Sequence, residues 1–284
     1  MVRRVLCLAA ALSGCASPIE LDVKVIDPCN KPVLSTLKLL GYEARGTDLG
    51  DRASAFTTAG DKAFADVTIP LVPDFQLVVM GYVADRPTPL PDAAGVSGLY
   101  DLAAAEDAVT ITVPIAPFND FYKPTQLDAP TVCTNMSRAR HGATATWVPS
   151  LGKVVIVGGE SLIDGQKLYP RTVETYDPRT GLFEPIYEFK RTEGGERAYH
   201  TTTLISGDRL LIAGGESGSG DGQSFSNKSV VVLNLSDPSA VKVDAISMTG
   251  FLADERSGHA AVKLANGSVA FIGGRKLVDG GLVD

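Results

Sequence analysis

Along residues 19 to 118 the apolar positions fall in short alternating or β-branched runs, and nothing recurs at helical spacing. The runs IELDVKVID, VLSTLKLLGYEA, AFADVTIPL, FQLVVMGYVAD and AVTITVPIAPF read as strands, divided by turn-forming clusters such as DPCNKP and RPTPLPDAAG. In LDVKVID, Leu21, Val23 and Val25 share one face while Asp22 and Lys24 take the other, as a half-buried strand requires. This block, residues 15–118, is expected to be a small antiparallel β-sandwich, followed by a proline-bearing linker over 119–134.

From residue 135 to 284 the pattern repeats. ERAYHTTTLISGDRLLIAGG has counterparts in SRARHGATATWVPSLGKVVIVGG and ERSGHAAVKLANGSVAFIGG. Matching their arginines and histidines aligns Arg138, Arg197 and Arg256 in one column and His141, His200 and His259 in another, at a spacing of 59 residues. These three are all the histidines in the chain. TATWV, VVIVGG, TVETYDP and LFEPI predict four short strands in the first copy. TTTLI, RLLIAGG, SVVVLNL and VKVDAI predict four in the second.

The R-x-x-H start, the apolar strand ending in Gly-Gly, and VETYDPRTGLF together resemble the bacterial kelch repeat. Phe183 stands where that motif has tryptophan, and Leu233 and Asn234 replace Tyr176 and Asp177 in the second copy. The resemblance implies an all-β chain in which a transthyretin-like or Ig-like sandwich precedes about two and a half blades of a propeller. The third copy reaches only GGRKLVDGGLVD, so the ring is expected to be incomplete, with self-association as one consequence of its open edges.

Recurrence also suggests roles for single residues. The glycine pairs Gly158/Gly159, Gly214/Gly215 and Gly273/Gly274 end apolar strands, where positive φ or the close approach of a neighbouring blade excludes a Cβ. An arginine and a histidine at every blade start are expected to bond the frame, because a catalytic histidine is usually unique. After each glycine pair comes an Asp-Gly: Asp164, Asp221 and Asp279. These read either as plain hairpin turns or, with Glu160 and Glu216, as an acidic rim able to bind a cation, a basic partner or sugar hydroxyls.

Charge and cysteine usage narrow the setting. A formal net charge of −7 without a basic run beyond the N-terminus argues against nucleic-acid binding. MVRRVLCLAAALSGC has two arginines, a short apolar core and small residues, the order of an export signal. Its LSGC end resembles the bacterial lipobox, which implies a signal over 1–14 and a lipidated Cys15. An ordinary signal peptide cleaved nearby is the other reading, and either one takes the chain out of the cytoplasm. Cys29 and Cys133 then remain, either as a disulfide closing about 100 residues or as two buried thiols.

No nucleophile elbow, H-E-x-x-H or phosphate loop occurs, and S-x-x-K at STLK and SLGK matches by chance. No catalytic set, cofactor or metal is therefore expected. The reading is an exported outer-membrane or cell-surface lipoprotein, on the periplasmic or the outer side, whose propeller binds a protein or a glycan. A glycan-active enzyme with its catalytic residues in further blades, and a purely structural surface protein, are the competing readings.

Overall fold

The computed structural model describes residues 5–7, 20–29, 31–47, 54–58, 71–105, 108–118, 120, 122–218, 224–247, 252–278 and 281–283. The chain is all-β and forms two compact units, residues 1–134 with 177–182, and residues 135–176 with 183–284. Among the described residues no sheet closes on itself.

In the first unit β1 (Val5–Cys7), β2 (Glu20–Ile26) and β7 (Val109–Pro114) form one sheet. β3 (Leu39–Arg45), β4 (Ser54–Thr58), β5 (Gln76–Tyr82), β6 (Ala93–Val96) and β8 (Ala116–Pro117) form another, in the order β4-β3-β5-β6-β8. The expectation of a purely antiparallel block is corrected by β2, which pairs with β7 in parallel, Leu21 opposite Val109 through Ile26 opposite Pro114. A parallel pair needs a long crossover, and the chain supplies it by building the other sheet between the two strands. Leu21, Val23, Ile111 and Val113 from one sheet and Leu40, Tyr42, Leu77 and Val79 from the other share a single apolar cluster. The strand alternation read from the sequence is what points these side chains into it.

Cys29 and Cys133 are joined by a disulfide with Cα atoms 5.3 Å apart, across a separation of 104 residues. Cys15 and most of the N-terminal signal lie outside the described residues.

In the second unit β9 (Thr144–Val148), β10 (Lys153–Val157), β13 (Thr172–Asp177) and β14 (Leu182–Glu188) make one four-stranded antiparallel sheet in chain order. β15 (Thr201–Ile205), β16 (Arg209–Ala213), β19 (Val230–Asn234) and β20 (Lys242–Ser247) make a second of the same order. The third repeat contributes the hairpin β21 (Ala260–Lys263) and β22 (Val269–Ile272). Short side hairpins leave each sheet after its glycine pair: β11 (Ser161–Ile163) with β12 (Gln166–Leu168), β17 (Glu216–Gly218) with β18 (Ser224–Ser226), and β23 (Lys276–Val278) with β24 (Gly281–Val283). Val148, Val155, Val157 and Val173 of the first sheet pack with Leu210, Ile212, Val231 and Leu233 of the second.

Candidate functional site

Two features of the second unit gather the residues singled out in the sequence. One is the seam between successive repeats. The other is a polar cluster beside the glycine pairs.

The seams are built alike. The N–H of Gly159 donates to the Arg197 carbonyl at 2.8 Å, and the N–H of Gly215 donates to the Arg256 carbonyl at 2.8 Å. A Cβ on Gly158 would lie 2.3 Å from the Arg197 oxygen, and one on Gly214 would lie 2.6 Å from the Arg256 oxygen. Both glycines also have positive φ, at 63° and 62°. The Gly pairs are thus required twice over, by conformation and by close approach. The Thr144 hydroxyl lies 3.0 Å from His200 Nε2, and the Thr201 hydroxyl lies 2.9 Å from His259 Nε2. Burial holds both imidazoles neutral, His200 down to about 3 and His259 to about 4.

Arg197 is fully buried. Its guanidinium donates to the carbonyls of Gly194, Gly214 and Ser229 and to the Ser229 hydroxyl, and no carboxylate accompanies it. Burial lowers its pKa to about 10, so it stays charged at neutral pH.

The seams also correct the sequence alignment in the first repeat. Arg140, not Arg138, donates to the carbonyls of Gly158 and Thr172, the counterparts of Gly214 and Ser229. Arg138 is exposed. Backbone pairing then matches His141 with Ala198 and Ser257, because each bridges to the residue after a glycine pair: Glu160, Glu216 and Arg275. The left-handed position that follows is Gly142 (φ 64°), Tyr199 (φ 55°) and Gly258 (φ 62°). Ala143 therefore occupies the place of His200 and His259, and the true spacing is 57 and then 59 residues. Arg140 also differs in its partner, the buried Glu174 carboxylate, which Ser137 holds from its N–H at 2.7 Å and its hydroxyl at 2.9 Å. Burial lowers the Arg140 pKa, with Glu174 opposing. Glu174 was not legible as a site residue because its counterpart in the second repeat is Val231.

His141, freed from the seam, has its side chain 62% exposed and places Nε2 2.8 Å from Glu160 Oε1. Glu160 is only 4% exposed. Its Oε1 also accepts the Tyr199 hydroxyl at 3.2 Å, while Lys167 Nζ lies 3.4 Å from Oε2. Burial raises the Glu160 pKa, but Lys167, Tyr199 and His141 outweigh it, and the net shift is downward. Oε2 has no hydrogen-bond donor.

Glu216, equally buried, accepts the Ser257 hydroxyl at 2.7 Å, with Arg275 3.7 Å away. Both carboxylates act on Tyr199 and on Tyr169, whose hydroxyl lies 2.8 Å from that of Ser224. Burial first, and then the charge of Glu160 in Tyr199, raise the pKa of each phenol, so both are donors at neutral pH. Tyr199 holds this place with a positive φ where the flanking repeats have glycine, a backbone cost met most often at functional sites.

An exposed acidic rim is not what these residues form. Glu160 and Glu216 are buried and paired, and Asp164 (φ 50°) with Gly165 (φ 78°) makes the two-residue turn of the β11–β12 hairpin. Asp221 and Asp279 lie outside the described residues. Among the described residues no group of three His, Cys, Asp or Glu side chains is placed to hold a metal ion, and no helix is long and apolar enough to cross a membrane.

No family model and no curated protein matches the chain. A solved structure titled "Structure of YjhT" is similar at 17% identity with a TM-score of 0.37, over 50% of this chain and 36% of that one.

Proposed function

We propose that the second unit is a kelch-type propeller segment that binds a glycan through the cluster of Glu160, Tyr199, Tyr169, Lys167, Glu216 and Arg275. The observation that carries this reading is Tyr199, held at φ 55° with its hydroxyl on a buried carboxylate. A sugar hydroxyl both donates and accepts. The cluster offers an acceptor at Glu160 Oε2, which has no hydrogen-bond donor, and phenol and ammonium donors beside it.

The first unit, in this reading, is a β-sandwich spacer, and the export signal with Cys15 anchors the chain by lipid at the cell envelope. The motifs at the N-terminus support the anchor, and the R-x-x-H and Gly-Gly pattern supports the kelch assignment.

The test is binding of the whole chain to immobilised neutral and acidic oligosaccharides, with Tyr199→Phe and Glu160→Gln compared against it. At least a tenfold loss of affinity in both variants is expected, with unchanged urea midpoints. Absence of binding across the panel, or equal binding by the variants, would overturn the reading. Turnover of a bound oligosaccharide would instead favour an enzyme.

A further inference from the structure

Each seam inside the chain consists of the same parts: an N–H from the second glycine of a pair to the next arginine carbonyl, an N–H from the left-handed residue to its counterpart in the preceding repeat, and a side-chain contact between inner strands. Tyr199 donates to the Gly142 carbonyl and Gly258 to the Tyr199 carbonyl, both at 2.8 Å. The third repeat carries half of another such seam. Gly273 keeps its positive φ of 67°, yet a Cβ there would meet nothing within 4 Å. Among the described residues the Gly274 N–H has no acceptor and the Gly258 carbonyl has no donor.

The first repeat carries the opposite half: the Arg140 carbonyl has no donor and the Gly142 N–H has no acceptor among the described residues. The side chains of the two halves also match each other. Where Thr144 and Thr201 accept a histidine, the third repeat has Ala260. Where His200 and His259 would reach in, the first repeat has Ala143. The hydroxyl pair Thr146 and Thr202, 2.6 Å apart in the first seam, becomes Val262 and Ala145. Val262 and Ile272 are both exposed, at 48% and 61%. A histidine arriving at Ala260 would find no hydroxyl, whereas Ala143 and Ala145 offer an apolar surface to an apolar one.

We infer that the open face of the third repeat receives the first repeat of a second copy of this chain, head to tail, with Gly274 N–H donating to the partner's Arg140 carbonyl and Gly258 accepting from the partner's Gly142. The interface is heterologous, so it builds a ring or a filament according to whether the rotation closes. It rests on the two observed seams and stands or falls apart from the glycan reading.

The test uses the whole chain with Cys7→Ser and Cys15→Ser, leaving Cys29 and Cys133 in their disulfide. Ala143→Cys and Ala260→Cys are made in separate preparations, mixed and oxidised. A cross-linked dimer should form in the mixture at least tenfold faster than in either variant alone. Sedimentation of the chain without the new cysteines should show concentration-dependent assembly that Ala260→Arg abolishes. Ala260 is exposed in the single copy, so that variant should unfold at the same urea concentration as the parent. A chain that stays monomeric at about 100 μM (several kcal/mol short of a stable interface), or one whose cross-links form equally within Ala260→Cys alone, overturns the inference.

Discussion

Replacing Arg197 by methionine tests whether a buried cation without a counter-ion can be a net stabiliser. The guanidinium is the only donor to the Gly194 and Gly214 carbonyls, whereas the Ser229 carbonyl also accepts the Gly214 N–H at 3.1 Å and the Ser229 hydroxyl also bonds Asn227. Two buried acceptors are therefore orphaned, at about 1–3 kcal/mol each. Methionine fills much of the space and removes the cost of burying a charge, which returns part of that sum. A net loss of about 3 kcal/mol is expected, with Arg197→Lys at least as harmful because it keeps the charge and loses the fork.

Trp147, the single tryptophan, sits in β9, so its emission follows unfolding of the second unit alone. With a urea slope of roughly 2 kcal/mol/M, the midpoint should fall by about 1.5 M at constant slope. A shift below about 0.5 M would show that the carbonyls find other donors or that desolvation cancels the bonds, and the reasoning would fail.

Other consequences follow from the same seams. His200 and His259 are neutral in the fold, with pKa values lowered to about 3 and about 4 from 6.5, so the unfolded chain binds more protons below pH 6.5. Stability of the second unit should be complete above pH 6.5 and fall as pH drops toward 4, by up to about 1.4 kcal/mol per pH unit for each histidine. His200→Asn should flatten the Trp147-detected pH profile, and an unchanged profile would contradict the assignment. Gly214→Ala should cost about 2 kcal/mol or more beyond Gly273→Ala. Both have positive φ, but only the first drives a Cβ to 2.6 Å from a carbonyl, and equal urea midpoints would refute the close-approach argument. Reducing the Cys29–Cys133 disulfide should lower first-unit stability by about 4–5 kcal/mol by freeing a long loop in the unfolded chain, seen in calorimetry, while the Trp147 transition stays in place.

The alignment error in the first repeat shows where sequence reading stops. SRARHGAT contains two arginines, and identity of the histidines selects Arg138. A gap-free match of RHGAT with RAYHT and RSGHA selects Arg140, with Gly142 and Gly258 in one column and Thr144 beneath Thr201. That signal was present but weaker than the match of a rare residue. The eight strands of the two complete sheets were legible because each alternates or runs apolar between turn residues. The parallel pairing of β2 with β7 was not, since alternation specifies which face a strand buries and says nothing about its neighbour.

What the sequence determined by itself is the all-β character, the repeat, and the need for glycine at the pairs, because strand period, turn chemistry and φ restrictions act over a few residues. What only the tertiary structure decided is which arginine is buried and that His141 leaves the seam for Glu160. It likewise decided that two glutamates expected on a rim lie beneath it among tyrosines and cations. Those outcomes depend on which carbonyls, hydroxyls and charges are brought within hydrogen-bond reach from residues 17 to 59 positions apart, and local pattern carries no record of that distance.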